Sequence, residues 1–253
     1  MKNLSRFRLE DGAARGRAAA FAFKSGELAL RALRDYHRHE VVGLENVPRS
    51  GGVLLACNHS FATYDGWLIG IALIDELGRV PLAIGDRLML RSPIVGGFFR
   101  DLGFVEGTRD SAAEILRRGD LLGLLPGGMR EALRSSKDKY RVDWTGRTGF
   151  VWTSLLSGAP IVLAACPRAD DIFDVADLAV TRRAYERFRV PVALARGLGP
   201  TLVPRPVKLR HLLSEPITPP VPPHAVTEDV VRAHHAHVTA RMNRLMVEAL
   251  ALG

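Results

Sequence analysis

Two cysteines in 253 residues, at positions 57 and 166, provide no disulfide framework, and each lies in an apolar run that suits a small buried hydrophobe. A reducing, cytosolic compartment is the expectation. No stretch approaches the ~18 uninterrupted apolar residues of a membrane span, and the N-terminal M-K-N-L-S-R-F-R-L-E-D-G lacks a signal-peptide core. There is no Gly-x-Ser-x-Gly elbow, which counts against the common hydrolase design. Zinc-ligand spacings and basic blocks with interleaved aromatics are also missing, so nucleic acid is not an expected partner. Lysine is scarce, five against thirty arginines. That bias suits fork-shaped recognition of phosphate and also matches a GC-rich genome.

What is present is enough apolar material, 47% of residues, for one large α/β domain. A net charge of +8 and a pI near 10.1 imply an anionic partner such as a lipid headgroup surface or a phosphorylated substrate.

The central stretch is 51–67, G-G-V-L-L-A-C-N-H-S-F-A-T-Y-D-G-W. Its apolar run reads as a buried strand that stops on Asn58 and His59, where an α/β sheet presents reactive groups. Asp65 follows, then a helix over 66–77. A histidine with a carboxylate partner can take a proton from a hydroxyl near neutral pH. Alternatively Asp65, Ser60 or Thr63 caps the helix and His59 satisfies backbone groups. A dyad requires His59 on the strand-end loop, with the chain turning before Asp65.

Residues 14–37 read as one helix with an apolar stripe through Ala18, Phe21, Ala22, Leu28, Leu30 and Leu33. Residues 1–38 carry nine basic and four acidic side chains, so this amphipathic segment is either a membrane-surface anchor or a helix packed on the domain that begins at residue 39. A strand and a turn are expected over 40–47, and strands at 53–57, 80–84, 121–125, 160–166 and 207–213. Helices are expected at 92–102, from a capping box at 111–114 to about 118, at 149–158, and from a Thr227 cap to about 250. Alternation of strand and helix predicts a mostly parallel sheet flanked by helices. Residues 126–131, P-G-G-M-R-E, end a buried strand, so backbone amides near Gly127 and Gly128 can approach an anion or a thioester oxygen, with Arg130 as a cation. His234, His235 and His237 do not converge on one helix face, which favours a solvated surface over a metal site.

Four blocks in fixed order, L-E-N-V-P with N-H-S-F-A-T-Y-D-G-W, G-F-V-E-G-T-R-D, L-L-P-G-G-M-R-E-A-L, and G-R-T-G-F with G-A-P-I-V, resemble the glycerolipid acyltransferase superfamily, in its mono- and diacylglycerol acyltransferase-like branch. The resemblance runs from about residue 42 to 216. It implies a single α/β acyltransferase domain in which His59 is the general base for an acceptor hydroxyl and Asp65 orients it. The family has four residues between these two, and this chain has five. The second block implies substrate binding by Glu106, Gly107, Thr108 and Arg109, the arginine taking the acceptor's phosphate or glycerol end. The third implies substrate binding by Pro126, Gly127, Gly128, Arg130 and Glu131, in the version similar to neutral-lipid members. The fourth is similar to the strand behind the acyl site. No cofactor is implied, only acyl-CoA or acyl-carrier protein as co-substrate, a lipid acceptor, and an anionic membrane surface at the inner face. The competing expectations are a lipid- or carrier-binding protein without turnover, and a hydrolase using the same dyad on water. Cys57 would share a strand face with His59, but burial disfavours its thiolate and hence a covalent acyl-enzyme.

Overall fold

Apolar on both faces, the run Val53–Cys57 has to be sandwiched between layers, and it forms β2, the middle strand of a seven-stranded sheet among the described residues. The computed structural model describes residues 17–61, 63–85, 90–91, 96–101, 104–178 and 194–253. The start of the expected N-terminal helix, the first turn of the 92–102 helix, and Arg182, Arg183, Arg187 and Arg189 lie outside those residues.

The other sheet strands are β1 (Glu40–Val42), β3 (Pro81–Gly85), β4 (Phe104–Glu106), β5 (Leu121–Leu124), β6 (Ile161–Ala165) and β9 (Arg210–Leu213). A separate antiparallel pair joins β7 (Asp174–Val175) to β8 (Ala195–Arg196). The spatial order is β1-β9-β6-β2-β5-β3-β4. Every neighbouring pair is parallel except β6 with β9, where Ala164 faces Leu213. The helices are α1 (Arg17–Tyr36), α2 (Asp65–Ala72, continued by a π turn, Leu73–Leu77), α3 (Gly96–Asp101), α4 (Arg109–Arg117), α5 (Gly128–Ala132), α6 (Gly149–Ser157) and α7 (Glu228–Ala251).

Strand alternation divides the core between the two faces. Leu54 and Ala56 join Leu116, Trp144, Leu155 and Met242 under α4, α6 and α7. Val53, Leu55 and Cys57 point the other way, against Ile69 and Leu73 of the α2 segment.

Over 40–47 the strand β1 ends at Val42 and a 3-10 turn at Leu44–Asn46 follows. Other expectations need correction. The α4 cap is Thr108, whose hydroxyl accepts from the Ser111 amide at 3.1 Å while Ser111 Oγ accepts from the Thr108 amide at 3.0 Å. Glu114 is therefore not a capping residue, and it pairs on the surface with Arg117 and Arg118. Residues 128–132 are helical, so Arg130 and Glu131 leave the chain in different directions. On α7 the three histidines do not share one solvated face: His237 is exposed, His234 is buried and stacked on it, and His235 Nε2–H donates to the Trp144 carbonyl at 3.0 Å. No group of three metal-ligating side chains occurs among the described residues. On α1, Leu30 and Leu33 pack against the cluster of Leu68, Ile172, Phe173 and Leu209, and Arg31 bridges Glu27 and Asp75. The C-terminal half of α1 is thus part of the domain's packing, with Leu28 turned to solvent.

Candidate active site

The chain leaves β2 through Asn58, whose side chain donates to the Cys166 carbonyl at 3.2 Å and accepts from the Cys166 amide at 2.8 Å. This amide rung extends the β2–β6 ladder by one step past the strand and holds the following residue in place. His59 is buried, and its Nδ1 lies 2.9 Å from the Ser60 carbonyl oxygen. A carbonyl only accepts, so Nδ1 carries the proton and Nε2 has the lone pair. Nε2 makes no hydrogen bond among the described residues. Burial pushes the imidazole below its usual range, the Ser60 contact opposes this, and the Arg134 charge adds to the lowering. A neutral ring with its basic nitrogen unbonded is a competent proton acceptor.

Asp65 lies one turn away and makes a different contact from the one expected. Its Oδ1 accepts from the Ser60 hydroxyl at 2.5 Å, and its buried Oδ2 has no partner among the described residues. Burial pushes its pKa up to about 6, against the opposing effect of the Ser60 hydrogen bond. No hydrogen bond joins Asp65 to His59; the contact runs through Ser60. The intervening turn includes Thr63 at φ +64°, an uncommon conformation for a β-branched residue, with its hydroxyl 3.5 Å from His59 Nδ1.

A second set of buried charges holds the His59 backbone, and the sequence reading missed most of it. Glu131 Oε1 accepts from the His59 amide at 3.3 Å and from Arg134 at 3.0 Å, while its Oε2 accepts from Trp144 Nε1 at 3.0 Å. Arg134 also donates to the His59 carbonyl at 3.4 Å and grips both oxygens of Asp170 at 2.6 and 2.5 Å. Burial raises Glu131 to about 7 despite Arg134. Arg134 stays above its usual value, since Asp170 and Glu131 outweigh its desolvation. Arginine and aspartate are common surface residues, so no local signal marked Arg134 or Asp170. Gly127 is required by this network: a Cβ there would stand 1.8 Å from Glu131 Oε2.

The remaining residues of the third block are not gathered around His59. The Gly128 amide is engaged by the Leu125 carbonyl at 3.0 Å, so it is not free for an oxyanion. Arg130 is exposed beside Asp143 at 3.7 Å, and Pro126 sits in the turn after β5. In the second block Arg109 opens α4 with its guanidinium 5.3 Å from the Trp152 ring centroid, a cation–π stack. Glu106 pairs with Arg91 at 3.1 Å, Gly107 lies against Ile84, and Thr108 is the cap. The β4 end is three strands from the β2 end, about 14 Å at roughly 4.8 Å per strand.

On the α2 side of the sheet an apolar cavity of about 410 Å³ runs between α1, α2 and the ends of β2, β3 and β5. Cys57 and Thr63 lie on its wall, which brings it up to the His59 turn, and Trp67, Gly70 and Leu124 line it further in. The volume is within the roughly 300–1,000 Å³ usual for ligand sites. Residues 158–162, expected behind an acyl site, do not line it, because β6 is on the other side of β2. Burial drives the Cys57 thiol far above its ordinary pKa, so it holds its proton.

The chain is similar to a human protein named "DGAT1/2-independent enzyme synthesizing storage lipids", 29% identical over 210 residues, covering 83% of this chain and 62% of that one. It is 30% identical over 192 residues to an uncharacterized protein of Mycobacterium tuberculosis, covering 73% of this chain and 53% of that one. It thus spans only about three-fifths or less of these relatives' length. Among solved structures, the 1-acyl-sn-glycerophosphate acyltransferase PlsC of Thermotoga maritima superimposes with a TM-score of 0.53 at 20% identity, over 95% of this chain and 85% of that one. Its fold is the fold described above. The model of the acyltransferase family matches residues 38–166, from just after α1 through β6, which takes in His59, Asp65, Glu131 and Arg134 but not Asp170, and this chain belongs to that family.

Proposed function

We propose that this chain is an acyl-thioester-dependent O-acyltransferase acting on a hydroxyl of a glycerolipid or lysophospholipid, with acyl-CoA or an acyl-carrier protein as donor and no resident cofactor. The observation that carries this reading is the His59 ring, its Nδ1–H held by the Ser60 carbonyl and its Nε2 without a partner among the described residues, on the turn between Cys57 and Thr63 of the apolar cavity's wall. His59 Nε2 takes the acceptor's hydroxyl proton as that oxygen attacks the thioester carbonyl. The C–S bond then breaks, and the leaving thiolate recovers the proton from the imidazolium. No protein nucleophile takes part. The acyl chain occupies the cavity, and Arg109 takes the anionic or polyol end of the acceptor. The enzyme meets its acceptor from the cytoplasmic face of the membrane, and no described helix is long and apolar enough to cross a bilayer.

A second reading, a lipid-binding protein without turnover, is favoured by the Asp65 contact with Ser60 in place of His59. Acyl transfer from an acyl-thioester, measured with monoacylglycerol, with lysophosphatidate and with no acceptor, separates the readings. Turnover that needs a lipid hydroxyl and disappears in His59→Ala, with an unchanged melting temperature, supports the first. Binding without turnover supports the second, and thioester cleavage that ignores the acceptor indicates a hydrolase.

A further inference from the structure

Four large aliphatic side chains crowd one short turn and are left in solvent: Leu194, Leu198, Leu202 and Val203 are 64%, 55%, 68% and 52% exposed. Solvated loops rarely carry such a set, and contiguous exposed apolar patches mark binding surfaces. The turn is firmly braced. The Gly197 amide donates to the Thr201 carbonyl at 2.6 Å, the Leu198 amide to Val203 at 2.7 Å, and Arg205 Nε to the Gly197 carbonyl at 3.1 Å. From outside, Tyr36 of α1 donates to the Pro204 carbonyl at 2.6 Å. That bond joins the turn to the outward face of α1, where Leu28, Ala32 and Tyr36, four residues apart, are exposed too. The same helix lines the apolar cavity through Ala29 and Leu30.

Charge selects the partner. Residues 194–210 contain four basic side chains and no acidic one. Arg196 and Arg205 share one carboxylate, Asp174, and Lys208 and Arg210 share another, Glu40, so positive charge stays in excess there, on a protein of net charge +8. An apolar tip within a strongly cationic stretch fits an anionic lipid leaflet, which attracts the charge and takes up the aliphatic side chains. We propose that the turn at residues 194–203, with the outer face of α1 beside it, is the surface through which this protein sits on an anionic bilayer. This assignment rests on the reading of the chain as an acyltransferase for lipid acceptors, since it sets the acyl cavity next to the membrane.

The test is co-sedimentation with vesicles of phosphatidylcholine with and without phosphatidylserine, using Leu198→Ser/Leu202→Ser and no acyl donor. The unaltered protein is expected to bind the anionic vesicles, and the variant to partition roughly a hundredfold less, about tenfold for each leucine. Melting temperature and transfer to a soluble short-chain acceptor should not change. In Leu202→Trp, the indole emission should shift to the blue and be quenched by brominated acyl chains. Equal sedimentation of variant and parent overturns the proposal, as does a dimer in light scattering that the variant dissociates while vesicles bind neither form. Binding without turnover in any assay leaves the surface in place and removes the catalytic reading instead.

Discussion

Asp65 reaches Ser60, with its Oδ1 2.5 Å from the Ser60 hydroxyl, and through that bond it braces the residue whose carbonyl fixes the His59 ring. Tautomer control over the imidazole is therefore exercised by a backbone carbonyl, with the carboxylate one step behind it. In this arrangement the fifth residue between His59 and Asp65 is accommodated without losing a fixed ring orientation.

Asp65→Asn separates stability from activity. The folded-state pKa near 6 is above the usual 3.8, so ionising Asp65 costs stability: its contribution is fully present below about pH 4 and is lost as pH rises through 6. Two pKa units correspond to about 3 kcal/mol as an upper bound. The asparagine variant should therefore melt no lower than the parent at pH 8 and relatively lower at pH 4, while acyl transfer falls by orders of magnitude as Ser60 loosens. Melting curves from pH 4 to 8 beside turnover check both. Unchanged turnover with a lower melting point would make Asp65 only a helix-start residue.

Arg134→Met removes the cation between Glu131 and Asp170 and leaves two buried carboxylates facing each other. Breaking a buried pair costs about 3 to 5 kcal/mol, so the melting temperature should drop sharply. Arg134 also lowers the His59 pKa, so its loss should move the acidic limb of the kcat/KM profile to higher pH. Arg134→Lys keeps the charge and loses the fork, and it should hold that limb in place while kcat falls. A pH profile that does not move in the methionine variant would limit Arg134 to a structural role.

Gly70→Leu tests the cavity. Gly70 faces it from α2, and its nearest neighbour beyond the helix is Pro81 Cγ, 3.6 Å from an added Cβ. Leucine also favours helix by nearly 1 kcal/mol over glycine. The variant should melt at or above the parent temperature, lose turnover with long-chain donors by tenfold or more, and keep it with short-chain ones. An unaltered chain-length profile would place the acyl chain elsewhere.

Arg109→Lys and Trp152→Ala test the proposed acceptor end. A lysine cannot reproduce the planar fork, and alanine removes the ring on which the guanidinium rests. Each should raise the acceptor KM severalfold or more and leave the donor KM nearly unchanged. Initial rates with both substrates varied give the two values, and an equal rise in both rules out this placement.

Sequence alone determined the elements whose signals are local. A wholly apolar Val53–Cys57 has to be a buried strand, its break at Asn58 and His59 marks the end of that strand, and strand–helix alternation imposes parallel pairing. The Thr227 cap of α7 is equally legible, because a cap is a contact three residues away: the Thr227 hydroxyl accepts from the Val230 amide at 3.3 Å. Contacts between distant residues were decided only by the tertiary structure. Asp170 meets Arg134, 36 positions earlier, because α5 and the turn after β6 converge at the end of β2. Glu131 reads in sequence as a substrate ligand, and only the packing around Trp144 and the His59 amide turns it inward as a brace. Period and composition also could not say which apolar residues of α1 would be used. Leu30 and Leu33 pack into the domain and Leu28 does not, since that depends on the angle at which the helix meets its neighbours.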